Sequence, residues 1–257
     1  MTTIYQHGTL AQLVARQMSG TITVAEMLEH GDTGIGTFEG LDGEGIFLNG
    51  EAYQADSSGK VHHITDKQTT LPFASIHFDQ PEVSQKLPFR QVNYSELTKS
   101  LQDKQLFNVF SALKVHGEFS HVHVRIVARQ EKPYPSLLQV AEQQPEFEAE
   151  NIIGTLVGYY APKVFGGPTA AGWHLHFLSD DLAFAGHVLD FNATDVDGTI
   201  QIFDNFLQHL PINNEDFRSM NQDITDLDKA IEASEGGKIN IKRSSERAPF
   251  NVHAFLQ

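Results

Sequence analysis

The segment Gly172-Trp173-His174-Leu175-His176-Phe177-Leu178, followed by Ser179-Asp180-Asp181 and then Gly186-His187-Val188-Leu189-Asp190, holds the residue types with most to say about chemistry. On a strand, side chains two apart share a face, so His174 and His176 project together while Leu175 and Phe177 pack behind. A turn at Ser179-Asp180-Asp181 and a returning strand through His187 would set a third imidazole beside them. Three neutral nitrogen donors with a fourth position open is the arrangement of a catalytic zinc rather than a structural one. A chain with 13 histidines also produces H-x-H by chance, so the third histidine matters as much as the pair.

A cupin-type metal site wants a glutamate shortly after H-x-H, where this chain has FLSDD, and that pattern fails. A second pair, His121-x-His123, is followed by Arg125 on the same strand face. A cation bound there would be opposed by the guanidinium. Arg125 therefore reads better as an anion-recognition residue able to grip a carboxylate in two places, with a polar surface strand as the alternative. His62 and His63 are adjacent and face opposite ways. Around a tight turn, Thr37, Glu39, Asp42 and Glu44 collect hydroxyl and carboxylate groups, which turn chemistry explains without function. Glu39 and Glu44 become site carboxylates only if the fold carries them to the histidines. Glu232 and Glu235 lie near the end of a C-terminal helix, where like charge and the helix dipole are unfavourable unless a cation or solvent relieves them.

The chain that must position these groups has 257 residues, enough for one large or two smaller domains. It has no cysteine, which excludes disulfides, thiolate metal sites and a cysteine nucleophile, so any metal sits on His, Asp or Glu. With 33 acidic against 18 basic residues its net charge is −15, which disfavours nucleic acid and acidic membrane partners. No apolar run is long enough to span a bilayer and the first residues lack the pattern of a secretory leader, so the expected address is the cytoplasm.

Helices are expected at 9–18, capped by Thr9, and after the capping-box spacing Thr23-Val24-Ala25-Glu26. From Ile35 to about His77, alternating runs broken at Asp42-Gly43, Asn49-Gly50 and Ser57-Ser58-Gly59 read as a meander of hairpins. A helix at 95–103 capped by Ser95, a strand at 118–129 and a helix at 136–143 follow. The charged stretch near 146–151 suggests a domain division or change of sheet near 144–150, before strands at 152–160, 173–178, 185–191 and 198–204. Helices at 214–220 and 226–234 end the reading. With no βαβ period, the expectation is an α/β, α+β-like fold with mixed or antiparallel sheets.

Three stretches in order, TIYQHGTLAQLVARQMSGTITVAEMLEHGDTGIGTFEGLDGE, GTLVGYYAPKVFGGPTAAGWHLHFLSDDLAFAGHVLDF and an acidic terminal helix, resemble the α-acetolactate decarboxylase family. The resemblance implies a metal-dependent enzyme, usually with zinc and without organic cofactor, that turns (S)-2-acetolactate into (R)-acetoin and CO2 in acetoin and butanediol formation. It implies two α/β domains, taken here as 1–148 and 149–257, with the active site between them, and a homodimer joined through the N-terminal sheets. It places the metal ligands at His174, His176 and His187, a substrate-contacting threonine at Thr37, and further active-site groups at Glu44, Arg125 and Glu235, with Glu232 as the alternative to the last. Trp173 stands where many members carry Tyr, which is expected to keep an aromatic wall, and the stretch QEKPYPSL lacks a basic residue expected after Pro-Tyr. Two readings from other classes remain: a zinc hydrolase using the same histidines to activate water, and a non-catalytic binding module whose histidines are satisfied by backbone carbonyls.

Overall fold

The computed structural model describes residues 1–87, 91–221 and 227–234. The chain opens with strand β1 (Thr3–His7), helix α1 (Leu10–Val14), β2 (Ile22–Thr23) and helix α2 (Val24–Leu28). Thr9 and Thr23 each close a capping box, with Gln12 and Glu26 as the returning partners, so both short helices begin where their side chains satisfy the exposed backbone N–H groups. The meander follows as β3 (Thr33–Thr37), β4 (Glu44–Leu48), β5 (Glu51–Ala55) and β6 (Val61–His63), then β7 (Thr70–Leu71) and β8 (Phe73–His77). Asn49 and Gly50, both at positive φ, make the tight β4–β5 turn that the sequence announces.

A second group comprises β9 (Gln85–Leu87), β10 (Val92–Asn93), helix α3 (Tyr94–Asp103), β11 (Ser111–Arg125), helix α4 (Leu137–Ala141), β12 (Glu146–Ala161), β13 (Gly172–Ser179) and β14 (Ala185–Ile202). The chain then returns with β15 (Asn205–His209), helix α5 (Glu215–Arg218) and helix α6 (Leu227–Ser234). The first sheet runs β15-β1-β8-β3-β4-β5-β6, with β15 parallel to β1. In the second, β14, β11, β12 and β13 pair in succession and β13 pairs back onto β14, closing a ring. Phe119, Phe177 and Phe191 fill its interior, while Ile35 and Ile46 of the first sheet pack against Val157, Tyr159 and Leu178 of the second. Among the described residues no helix is long and apolar enough to cross a membrane.

Several expectations shift. The change of sheet is not at 144–150: Glu146-Phe147-Glu148-Ala149-Glu150 opens β12 and pairs with β11 down to Arg125. Its acidic side chains face water on a projecting ribbon, so charge there marks exposure rather than a linker. The first sheet is left between His77 and Gln85 and rejoined at Asn205, so the two sheets do not divide the chain into halves at 148. Helix α3 starts at Tyr94, one residue early, and its cap lies two residues earlier than expected, because Asn93, not Ser95, accepts the N–H of Glu96.

One network ties the sheets together. The Tyr159 hydroxyl donates to the Thr33 carbonyl at 3.1 Å and so accepts from His77 Nδ1 at 2.8 Å. Burial pushes the His77 pKa down from 6.5 to about 4. The unfolded chain therefore binds more protons than the folded one in that window, and the His77 contribution to stability, complete at neutral pH, is lost as pH falls. The unfolding free energy should drop by about 1.4 kcal/mol per pH unit for each such group, and His7, also lowered to about 4, adds to it. Denaturant titrations between neutral pH and about 5 check this: the slope should flatten in His77→Gln, and an unchanged slope would contradict the assignment.

Candidate active site and metal centre

His174 and His176 project from β13 on the face turned to the first sheet, while Trp173, Leu175 and Phe177 point into the ring. The turn after Ser179 is held by its hydroxyl, which donates to Asp181 Oδ1 at 2.6 Å and accepts the Phe184 N–H. The returning strand then pairs His187 directly with His176. One nitrogen from each of the three histidines lies within 4.8 Å of the others, with His174 Nε2 and His176 Nε2 at 3.2 Å. Nitrogens bound at 2.0–2.1 Å around a tetrahedral zinc stand ~3.3 Å apart, so the donor set fits such an ion.

The protonation states agree. Burial pushes the His174 pKa down to about 3, with the Arg125 charge adding to it, and burial, then neighbouring His174 and to a smaller extent Arg125, hold His176 well below its ordinary value. Both rings are neutral at physiological pH, as metal ligands must be. His176 Nδ1 donates to the Gly45 carbonyl at 2.9 Å, which fixes the tautomer and turns Nε2 toward the other histidines.

The first sheet supplies the carboxylate. The β3–β4 turn passes through Gly43 at φ +77°, where a Cβ would strike the Ala55 carbonyl. The Gly43 carbonyl accepts the Thr37 hydroxyl at 2.8 Å and its N–H donates to the Val127 carbonyl. Glu44, the next residue, is thereby aimed between the sheets: Oε1 accepts the Val127 N–H at 3.0 Å and Oε2 lies 3.5 Å from His176 Nε2. Thr37, Glu44, His174, His187 and Gln144 line one cavity of about 60 Å3, walled otherwise by apolar side chains of α1, α4 and the loops. Arg125 ends β11 opposite His187 and is buried.

The structure thus gathers His174, His176, His187, Glu44 and Thr37, with Arg125 near enough to depress two of the histidines. Glu39 goes elsewhere, accepting from the Gly20 N–H and the Thr70 and Tyr134 hydroxyls. His121 and His123 pair with Glu148 and Glu146 on the exposed ribbon. Glu235 lies outside the described residues, and Glu232 sits on α6, which packs on α1 and α4 through Leu227 and Ile231. Trp173 is not an aromatic wall of the site: strand alternation turns it to the opposite face, against Tyr160. The Gly45 carbonyl and the Val127 N–H are backbone groups that leave no mark in the sequence, and Gln144 carried no motif.

The polar side chains of this small cavity are two imidazoles, a carboxylate, a hydroxyl and an amide, so fold and site define an enzyme of small-molecule chemistry. Residues 4–224 match the family model described as alpha-acetolactate decarboxylase, and the chain belongs to that family. It is 38% identical to the alpha-acetolactate decarboxylase of Lactococcus lactis subsp. cremoris over 91% of this chain and 99% of the relative. The crystal structure of the Bacillus subtilis strain 168 enzyme is 34% identical and superposes with a TM-score of 0.85, covering 91% of this chain and 99% of that one. A Staphylococcus aureus protein described as similar to alpha-acetolactate decarboxylase is 40% identical with a TM-score of 0.87, over 91% of this chain and all of that one.

Proposed function

We propose that this chain converts (S)-2-acetolactate to (R)-acetoin and CO2, in acetoin and butanediol formation, with a divalent metal, zinc in the first instance, held by His174, His176 and His187. The observation that carries the metal is the histidine cluster itself, one nitrogen from each of three imidazoles brought together, with His176 oriented by the Gly45 carbonyl. Such an ion supplies Lewis acidity for the charge that develops as CO2 leaves, in place of an organic electron sink.

The reaction breaks the bond between the carboxylate carbon and C2, leaves its electron pair on C2 in conjugation with the neighbouring carbonyl as an enediolate, and adds one proton at C2. Arg125, fixed at the end of β11, orients the departing carboxylate or the oxygens beside it. Glu44 is held through Oε1 by the Val127 N–H, so that Oε2 keeps a fixed position for taking or returning a proton. Glu235 is assigned the second carboxylate role, with Glu232 as its alternative, and Thr37 contacts substrate from the same cavity. The homodimer is assigned to the first sheet, whose edge strand β15 exposes Leu207 beside exposed Leu210 and Ile212. The hydrolase reading finds no support among relatives that are named decarboxylases.

The test is acetoin formation from racemic 2-acetolactate by metal-stripped protein, before and after zinc addition, with spontaneous decarboxylation subtracted. Zinc should restore fast release of one acetoin enantiomer. No rate above background with zinc bound would overturn the reading and leave hydrolase substrates to be tried.

A further inference from the structure

Gln144 follows helix α4 and precedes Pro145, whose carbonyl accepts the Ile126 N–H at 3.1 Å, pinning this connection beside the end of β11. Its side chain lines the cavity shared by Thr37, Glu44, His174 and His187. The Oε1 atom is buried and accepts no hydrogen bond among the described residues. A buried amide oxygen left so is unfavourable unless something comes to meet it; the Thr37 hydroxyl of the same lining is committed to the Gly43 carbonyl, and Leu13, Val127 and Leu137 of that lining offer no side-chain donor. What enters the cavity must bring the proton.

On the reading that the substrate is 2-acetolactate, the match is specific. Its ketone and carboxylate only accept, and its C2 hydroxyl is the one donor it carries. We propose that Gln144 is a substrate-binding residue whose Oε1 accepts the hydrogen bond of the C2 hydroxyl, and that this contact makes the site demand a 2-hydroxy acid. The amide follows α4 and Glu44 opens β4, so the hydroxyl is held from a different element than the one that carries Glu44.

The assignment is tested in Gln144→Met, which keeps the length and removes the acceptor, and Gln144→Glu, which keeps an acceptor oxygen. Two stable inhibitors that differ only by hydroxyl against methyl, 2-hydroxy-2-methylpropanoate and 2,2-dimethylpropanoate, report on the contact directly. In the zinc-loaded wild type the hydroxy acid should bind more tightly. Loss of one hydrogen bond is worth roughly tenfold, so in Gln144→Met the preference should shrink by about that factor, with kcat/KM for 2-acetolactate falling by at least as much. Gln144→Glu should keep the preference, since its added charge repels both carboxylates alike. Zinc content and Tm of all three proteins should agree. An unchanged preference in Gln144→Met, or equal weakening of both inhibitors there, overturns the assignment even if the wild type makes acetoin. A wild type that makes none overturns the decarboxylase reading and this contact with it.

Discussion

Arg125→Met is expected to cut kcat/KM on 2-acetolactate by about 100- to 1,000-fold, the scale on which one aimed donor contributes to a developing charge, while the protein keeps its metal. The second half of that expectation separates roles. Arg125 is buried at the end of β11, and its charge lowers the pKa of both His174 and His176, that is, it disfavours positive charge at the cluster. Removing it should leave zinc affinity equal or tighter, because the ligand nitrogens become more basic. Methionine fills the space of the aliphatic stem and limits the packing loss. Arg125→Lys, with charge but no planar fork, should fall between wild type and Arg125→Met if the carboxylate is gripped in two places. Zinc titration and steady-state kinetics on the same preparations decide the matter. A variant that sheds its zinc, or one within threefold of wild type in kcat/KM, would remove Arg125 from the role assigned to it.

Local grammar was the legible part of this protein. The caps at Thr9 and Thr23, the Asn49-Gly50 turn and the period of two that puts His174 and His176 on one face are all set by neighbours within a few residues. His187 could be placed because a hairpin is itself a short-range object. What could not be read depends on partners far along the chain. β15 pairs with β1 across some 200 residues, as in Thr3 with Asn205. Glu44 finds its seat on the N–H of Val127, 83 residues away, and His176 is oriented by a carbonyl 131 residues earlier. Backbone groups have no residue type to betray them. The acidic run at 146–150 misled because the exposed face of a strand ribbon and a linker share charged residues, while Phe147 on the other face packs against the core. Trp173 shows the reverse error: its proximity in sequence to a ligand says nothing about its face, and strand alternation puts it in the core.

His176→Ala carries the other large effect, because this residue joins both sheets at the centre. It is 1% exposed, donates to the Gly45 carbonyl of β4, and presents Nε2 to His174 and Glu44. Alanine removes a metal ligand and the contact that holds the remaining donors to the first sheet, so zinc affinity should fall by 100-fold or more and acetoin formation should drop to the spontaneous rate. The second histidine pair supplies the control within the same chain. His121 and His123 share a strand spacing with His174 and His176, yet they answer to Glu148 and Glu146 on an exposed ribbon. His121→Ala and His123→Ala should therefore keep stoichiometric zinc and activity near wild type, with stability changed by about 0.5 kcal/mol or less, as for exposed ion pairs. Metal analysis after gel filtration, together with acetoin release, separates the two pairs. Zinc retained in His176→Ala, or lost in His123→Ala, would mean that the ribbon and not the inter-sheet cluster holds the ion, and the mechanism built on Glu44 and Arg125 would have to be moved with it.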